Sequence, residues 1–90
     1  MYLIEFTLQA QQDVVALQKH SPQLIKKLAK LLDELREHPR SGTGQIEQLK
    51  YFENETWSRR LNKEHRLVYE ILEQEVHVNV LSSYGHYNDK

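Results

Sequence analysis

Trp57-Ser58-Arg59-Arg60-Leu61-Asn62-Lys63-Glu64-His65-Arg66-Leu67-Val68-Tyr69 is the stretch whose reading decides the fold of this chain. Apolar and basic side chains alternate along it, as they do in a strand that buries one face and offers cations on the other. Its centre, Leu61-Asn62-Lys63-Glu64-His65-Arg66, is polar enough to turn, so the whole reads as a β-hairpin. Four Lys or Arg stand against one Glu, a local balance of +3 in a chain whose formal net charge is -1. Cations gathered in this way call for an anionic partner.

The loop length follows from which side chains must share a face. A two-residue turn at Lys63-Glu64 would set Leu61 opposite Arg66 and strand a guanidinium beside the core. A three-residue loop at Lys63-Glu64-His65 pairs Asn62 with Arg66 and resolves the pattern. Trp57, Arg59, Leu61, Leu67, Tyr69 and Ile71 then share one face, and Ser58, Arg60, Asn62, Arg66, Val68 and Glu70 the other. The sequence therefore predicts an odd-length loop with Arg60 and Arg66 together on the polar face. Arg59 is the misfit, expected to extend to a sheet edge and keep its charge in water.

Working outward, 90 residues make one domain, 1–90, with a modest core. A chain that is 39% apolar and 28% charged, with 12 Lys plus Arg against 13 Asp plus Glu, is folded and says little globally about partners. It has no cysteine, so disulfides and thiolate metal sites are excluded. Met1-Tyr2-Leu3-Ile4-Glu5 has neither a basic region nor a sustained apolar run, so no secretory signal or membrane span is expected, and a cytoplasmic location is the default.

Tyr2, Ile4 and Phe6 alternate with Leu3 and Glu5 as a short opening strand expected well inside the sheet. Thr7 suits the N-cap of a helix running to about Lys19, with Ala10, Val14 and Leu17 inward. Ser21 as N-cap and Pro22 at the first position open a second helix, whose Leu24, Ile25, Leu28, Leu31, Leu32 and Leu35 form one apolar stripe. Lys26, Lys27, Lys30 and Glu34 are expected on its wet side. That stripe covers the sheet of a small domain more readily than it zips to a partner helix. Pro39 stops the helix, and Ser41-Gly42-Thr43-Gly44 is a loop. Gln45 to Lys50 is a brief extended segment, and Val76, Val78 and Val80 alternate with His77 and Asn79 in a final strand. The order β-α-α-β-β-β predicts an α+β domain, an antiparallel sheet with a helical hairpin packed on one face.

On the polar sheet face Arg60 and Arg66 can be joined by Glu47 and Lys50 from the preceding segment and by His86 and Tyr87 after the final strand. A carboxylate, an imidazole and fixed cations are the groups RNA cleavage needs: a base for the 2′-hydroxyl, donors to the phosphate and an acid for the leaving 5′-oxygen. From the residues alone, Arg59, Arg60 and Arg66 serve equally as ion-pair partners of Glu55, Glu64 and Glu70. His20, His38, His65, His77 and His86 show neither helical pairing nor zinc spacing, so no metal and no cofactor is expected. Ser58 and Ser82 lack the setting of a nucleophile elbow, and Gly42 and Gly44 lack the Gly-Lys of a phosphate loop. A DNA-reading helix pair would have a short turn and a basic second helix, whereas the second helix here carries its apolar stripe where a core wants it.

The run Trp57-Ser58-Arg59-Arg60, then Glu64-His65-Arg66-Leu67-Val68-Tyr69, with Gly42-x-Gly44-x-x-Glu47-x-Leu49-Lys50 upstream and His86-Tyr87 near the end, resembles the YoeB/Txe toxins of the RelE superfamily. The likeness spans nearly the whole chain. It implies a RelE-like fold and a ribosome-dependent endonuclease that cuts mRNA in the ribosomal A site during translation. It also implies a cognate antitoxin of the YefM/Axe kind that silences the toxin and with it represses the shared operon, binding operator DNA only as the complex. Homodimers are common in the family. Carried over residue by residue, the resemblance makes Glu47 the general base, His86 the general acid, Arg66 the phosphate-stabilising arginine, Lys50 and Arg60 further basic positions and Tyr87 the tyrosine that orders site and substrate. Gln45-Ile46 stand where the family commonly has Lys-Pro, and Asn88-Asp89-Lys90 follow the tyrosine. The other reading from the residues is a non-catalytic module that binds RNA or an acidic antitoxin through the same cations.

Overall fold

A helical hairpin and a five-stranded sheet account for nearly all of the computed structural model, which describes residues 1–85. Alternating side chains make β1 (Leu3–Phe6), and Thr7 ends it as an N-cap whose Oγ1 accepts the Ala10 N–H at 3.1 Å. That cap opens α1 (Leu8–His20). Ser21 then closes α1 by donating its N–H to the Leu17 carbonyl, and a single 3₁₀ turn, Pro22–Leu24, leads into α2 (Ile25–Glu37). The expected hydroxyl cap at Ser21 is not formed. The two helices abut so closely that Ser21 terminates one while its carbonyl starts the next turn, accepting the Leu24 N–H.

Leu24 of the 3₁₀ turn and Leu28, Leu31 and Leu35 of the second helix are buried with Ala10 and Leu17 of the first, against Leu67, Tyr69, Ile71, Val78 and Val80 of the sheet. Each fully buried leucine contributes roughly 1.5–3 kcal/mol over an exposed one, so this stripe is core and not a free zipper face. Glu34 departs from the wet-side expectation: its side chain is half-buried, turned onto the loop that follows α2.

The sheet has the order β1-β5-β4-β3-β2, with β2 at Glu47–Leu49, β3 at Glu55–Arg60, β4 at Arg66–Leu72 and β5 at His77–Ser82. β2 to β5 pair in sequence as an antiparallel meander, and β1 pairs β5 in parallel. Three expectations are corrected here. The sheet is mixed and not wholly antiparallel. The brief segment near Glu47 is a true fifth strand, which the expected order omitted. β1 is an edge strand and not an interior one. Sequential hairpin neighbours fill the middle of the sheet, so β1 can join only at its end. There the Leu3 N–H reaches the Val76 carbonyl and the Thr7 N–H the Val80 carbonyl, both at 3.0 Å. Leu3 and Glu5 stay exposed. Val76 itself does not belong to the last strand; it sits in the left-handed region at φ 52.

The central hairpin keeps the expected faces with a different register. Arg60 lies opposite Arg66, so the loop is Leu61–His65, five residues and not three. Asn62 explains the slide: its Oδ1 accepts the N–H groups of Glu64 and His65, each at 2.8 Å, while the His65 carbonyl accepts those of Leu61 and Asn62. A slide of two residues preserves which side chains share a face. Among the described residues no helix is long and apolar enough to cross a membrane.

Candidate active site

The loop that leads into β2 is shaped by Arg59, which does not extend to a sheet edge but is fully buried at 0% exposure. Its NH1 donates to Glu34 Oε1 at 2.8 Å and its NH2 to the carbonyls of His38 and Ser41, both at 2.7 Å. Its Nε donates to the Tyr69 hydroxyl at 3.1 Å, which in turn donates to the Pro39 carbonyl at 2.7 Å. A buried charge is tolerated only when paired and fully hydrogen-bonded, and the loop supplies that environment by wrapping the guanidinium. Glu34 also accepts from the Thr43 N–H and hydroxyl. The Thr43 backbone N–H first, and then the Thr43 hydroxyl and Arg59, hold the Glu34 carboxyl below its ordinary value against the opposing cost of burial. Burial pushes the Tyr69 phenol up, with Arg59 opposing. Gly42, at φ +122, has no room for a side chain: a Cβ there would collide with Glu34 Oε1 and Arg59 NH1.

The wrapped loop delivers Gln45, Ile46 and Glu47 to the sheet face opposite the helices. With Arg60 and Arg66 they line a hollow of about 410 Å³. Glu47 lies opposite Ser58 in the register, Ser58 opposite Val68 and Arg60 opposite Arg66, which puts these side chains on one face. Arg66 is pinned: Nε donates to the buried Ser58 hydroxyl at 3.0 Å and NH2 to the Gln45 carbonyl at 3.0 Å. Gln45 reaches it from the left-handed region, φ 49, a conformation a residue with a side chain holds only when its surroundings impose it. The Glu47 carboxylate stands 4.0 Å from the Arg66 guanidinium and is largely exposed. Among the described residues no carboxylate pairs with Arg60. Two guanidiniums directly across a strand pair repel one another unless an anion lies between or over them. Among the described residues no three His, Asp or Glu side chains converge as a metal cage requires.

Of the residues the sequence singled out, Glu47, Arg60 and Arg66 meet at this hollow. Lys50 lies exposed just beyond the end of β2 and does not line it. His86 and Tyr87 lie outside the described residues. Ser58, Gln45 and His65 are participants the sequence reading passed over. Ser58 was legible in principle, since strand alternation places it on the face of Arg60; the carbonyl of Gln45 and the ring of His65 leave no such signature. After β5 the chain is tied at Ser83, whose N–H donates to the buried Asp13 carboxylate at 3.1 Å, and at Gly85, whose carbonyl accepts the Arg66 N–H at 3.1 Å.

The mixed sheet with a helical hairpin on one face has the fold of the Escherichia coli RelE toxin, with a TM-score of 0.72 at 23% identity, covering 100% of this chain and 89% of that one. Residues 6–87 match the YoeB-like toxins of bacterial type II toxin-antitoxin systems, and the chain belongs to that family. Toxin YoeB of Synechocystis sp. is 36% identical over 73 residues, 81% of this chain and 85% of the relative. Two solved structures from Staphylococcus aureus are also similar. The YoeB dimer has a TM-score of 0.81 at 34% identity, covering 96% of this chain and 98% of that one. The YoeB-YefM complex has a TM-score of 0.79 at 33% identity, covering 97% and 99%.

Proposed function

We infer that residues 1–90 are a single toxin domain that halts translation by cutting mRNA held in the ribosomal A site. The observation that carries this reading is the Glu47 carboxylate beside a pinned Arg66 guanidinium in one hollow, with Arg60 across the strand pair, in a chain of the YoeB-like family. Glu47 takes the proton of a substrate 2′-hydroxyl. The 2′-oxygen attacks the adjacent phosphorus, and Arg66 donates to the phosphate oxygens as charge builds on them. The bond from phosphorus to the 5′-oxygen breaks, His86 gives that oxygen its proton, and the products are a 2′,3′-cyclic phosphate and a 5′-hydroxyl end. Arg60 and Lys50 hold neighbouring phosphates, and Tyr87 orders the reacting nucleotides.

No step needs a metal ion, because a guanidinium supplies the charge a cation would otherwise bring; cleavage should persist in EDTA at the magnesium level that keeps ribosomes intact. An open hollow does little to orient a flexible RNA, and the ribosome provides that orientation from outside. The site of action is therefore the cytoplasm. As for the Staphylococcus aureus relatives, an antitoxin of the YefM kind and a second toxin copy are the partners this reading assigns, with operator DNA bound only by the toxin-antitoxin complex.

The test is a ribosome-dependent cleavage assay on wild type, Glu47→Ala and His86→Gln. Each variant should lose about 10²- to 10⁴-fold in rate while keeping its fold and antitoxin affinity. Full cleavage by both variants would refute the assignment of base and acid, and absence of cleavage by the wild type would leave a module that only binds RNA or antitoxin. Equal cutting of free mRNA would refute the dependence on the ribosome.

A further inference from the structure

His65 closes the central hairpin with its backbone and reaches the segment after β5 with its ring. The side chain is nearly inaccessible, the whole residue being 5% exposed. Nδ1 accepts the Gly85 N–H at 2.8 Å, and the Tyr84 ring stacks on the imidazole with centroids 4.5 Å apart and planes 18° from parallel. The next residue, Arg66, donates its own N–H to the Gly85 carbonyl. Both polar groups of Gly85 are thus held by two consecutive residues, one of which carries the guanidinium of the hollow. Gly85 adopts φ +89 with open space where a Cβ would lie, so glycine serves the backbone turn here and not a tight fit.

A backbone N–H can only donate, so Nδ1 must present its lone pair. His65 is then the neutral tautomer with its proton on Nε2, the side on which Glu64 Oε1 lies at 4.0 Å. We propose that His65 is a positioning residue for cleavage: its Nδ1 clasps Gly85 against the strand that carries Arg66, one residue before the acid assigned at His86. The proposal rests on the reading of the hollow as an RNA-cleaving site with His86 as acid; the clasp itself rests only on residues 65, 66, 84 and 85. An acid held about 1 Å from its proper place costs on the order of a hundredfold in rate, which sets the scale of the effect.

Two substitutions in the full chain, freed from antitoxin, separate the clasp from simple filling of space. His65→Phe keeps a flat ring for Tyr84 and removes the acceptor. His65→Asn removes the ring and keeps an oxygen where Nδ1 stands. In wild type, nitrogen NMR should find His65 unprotonated at Nδ1 and protonated at Nε2. In His65→Phe the Gly85 amide should exchange about tenfold faster or more, at unchanged protection of Leu67 and Tyr69, and cleavage should fall about 10- to 100-fold. His65→Asn should recover most of both. A proton on Nδ1, unchanged Gly85 exchange in His65→Phe, or normal cleavage by that variant overturns the proposal. Should His65→Phe fail to fold, the wild-type tautomer and the exchange and cleavage of His65→Asn decide, slow cleavage with rapid Gly85 exchange in the latter counting against an acceptor-based clasp. Glu47→Ala is the control for the underlying reading. If it still cleaves while the clasp is seen, the catalytic assignment fails; if it is dead while His65→Phe is active, the clasp's role fails.

Discussion

Glu34→Ala isolates the interaction on which the loop before the hollow depends. It removes the carboxylate facing Arg59, a guanidinium at 0% exposure, and with it the acceptor of the Thr43 N–H and hydroxyl. Breaking a buried ion pair from one side costs about 3–5 kcal/mol, because the remaining charge is left without compensation. Here the cost is lower: the Glu34 side chain is 24% exposed, so water screens it, and Arg59 keeps the carbonyls of His38, Ser41 and Thr43 and the Tyr69 hydroxyl. About 2–3 kcal/mol is expected. With a urea slope of about 1–1.5 kcal/mol per molar, the unfolding midpoint should fall by about 2 M. Trp57, the only tryptophan, reports it by fluorescence. Cleavage should fall as well, since the loosened loop carries Gln45 and Glu47. A loss under about 0.5 kcal/mol, the range of an ordinary surface substitution, would refute the claim that Glu34 compensates the buried charge.

Acid should destabilise the fold through the same group and through Glu55, whose carboxyl is held below its ordinary value mainly by Arg40. A lowered folded value means stability that is full above the ordinary carboxylate range and is lost as pH falls through it, so the urea midpoint should drop between about pH 5 and 3, less steeply in Glu34→Gln. Gly42→Ala forces a Cβ onto Glu34 and Arg59 at a φ that disfavours any side chain, and should cost about 2 kcal/mol or more by urea unfolding. Val76→Asn places a residue that tolerates the left-handed region at φ 52 where a β-branched one is strained, and should raise stability by about 0.5–1 kcal/mol, seen as a higher melting temperature. Arg66→Lys keeps the charge but gives up the simultaneous bonds to Ser58 and Gln45, and cleavage should fall about a hundredfold with little change in unfolding.

Both helices and the faces of the central hairpin were legible because they follow from spacing: leucines at helical intervals, and a parity that any odd loop preserves. What spacing does not carry is the identity of distant partners. The loop of Leu61–His65 depends on the Asn62 carboxamide capturing two backbone N–H groups, a local competition that alternation does not reveal. Arg59 read as a misfit because its carbonyl ligands come from a glycine-bearing loop well upstream and its carboxylate from α2. β1 alternates as an inner or an edge strand would, and only the meander of β2 to β5 decides between them. At the site, strand parity brought Glu47, Arg60 and Arg66 together. Of the two groups that aim Arg66, the Ser58 hydroxyl was legible only as a residue on the face of Arg60, and the Gln45 carbonyl was not legible at all, since a backbone group leaves no mark on the sequence pattern.

The parallel pairing of β1 with β5 joins Leu3 to His77, at opposite ends of the described sequence, whereas the walls of the hollow come from the neighbouring strands β2, β3 and β4. Contacts between near neighbours close at small entropic expense and distant ones at a larger one. During folding, the hairpin meander is therefore expected to organise before β1 docks. In the finished molecule both borders of the sheet are short strands, β1 of four residues and β2 of three, and the two strands that carry Arg60 and Arg66 lie between them.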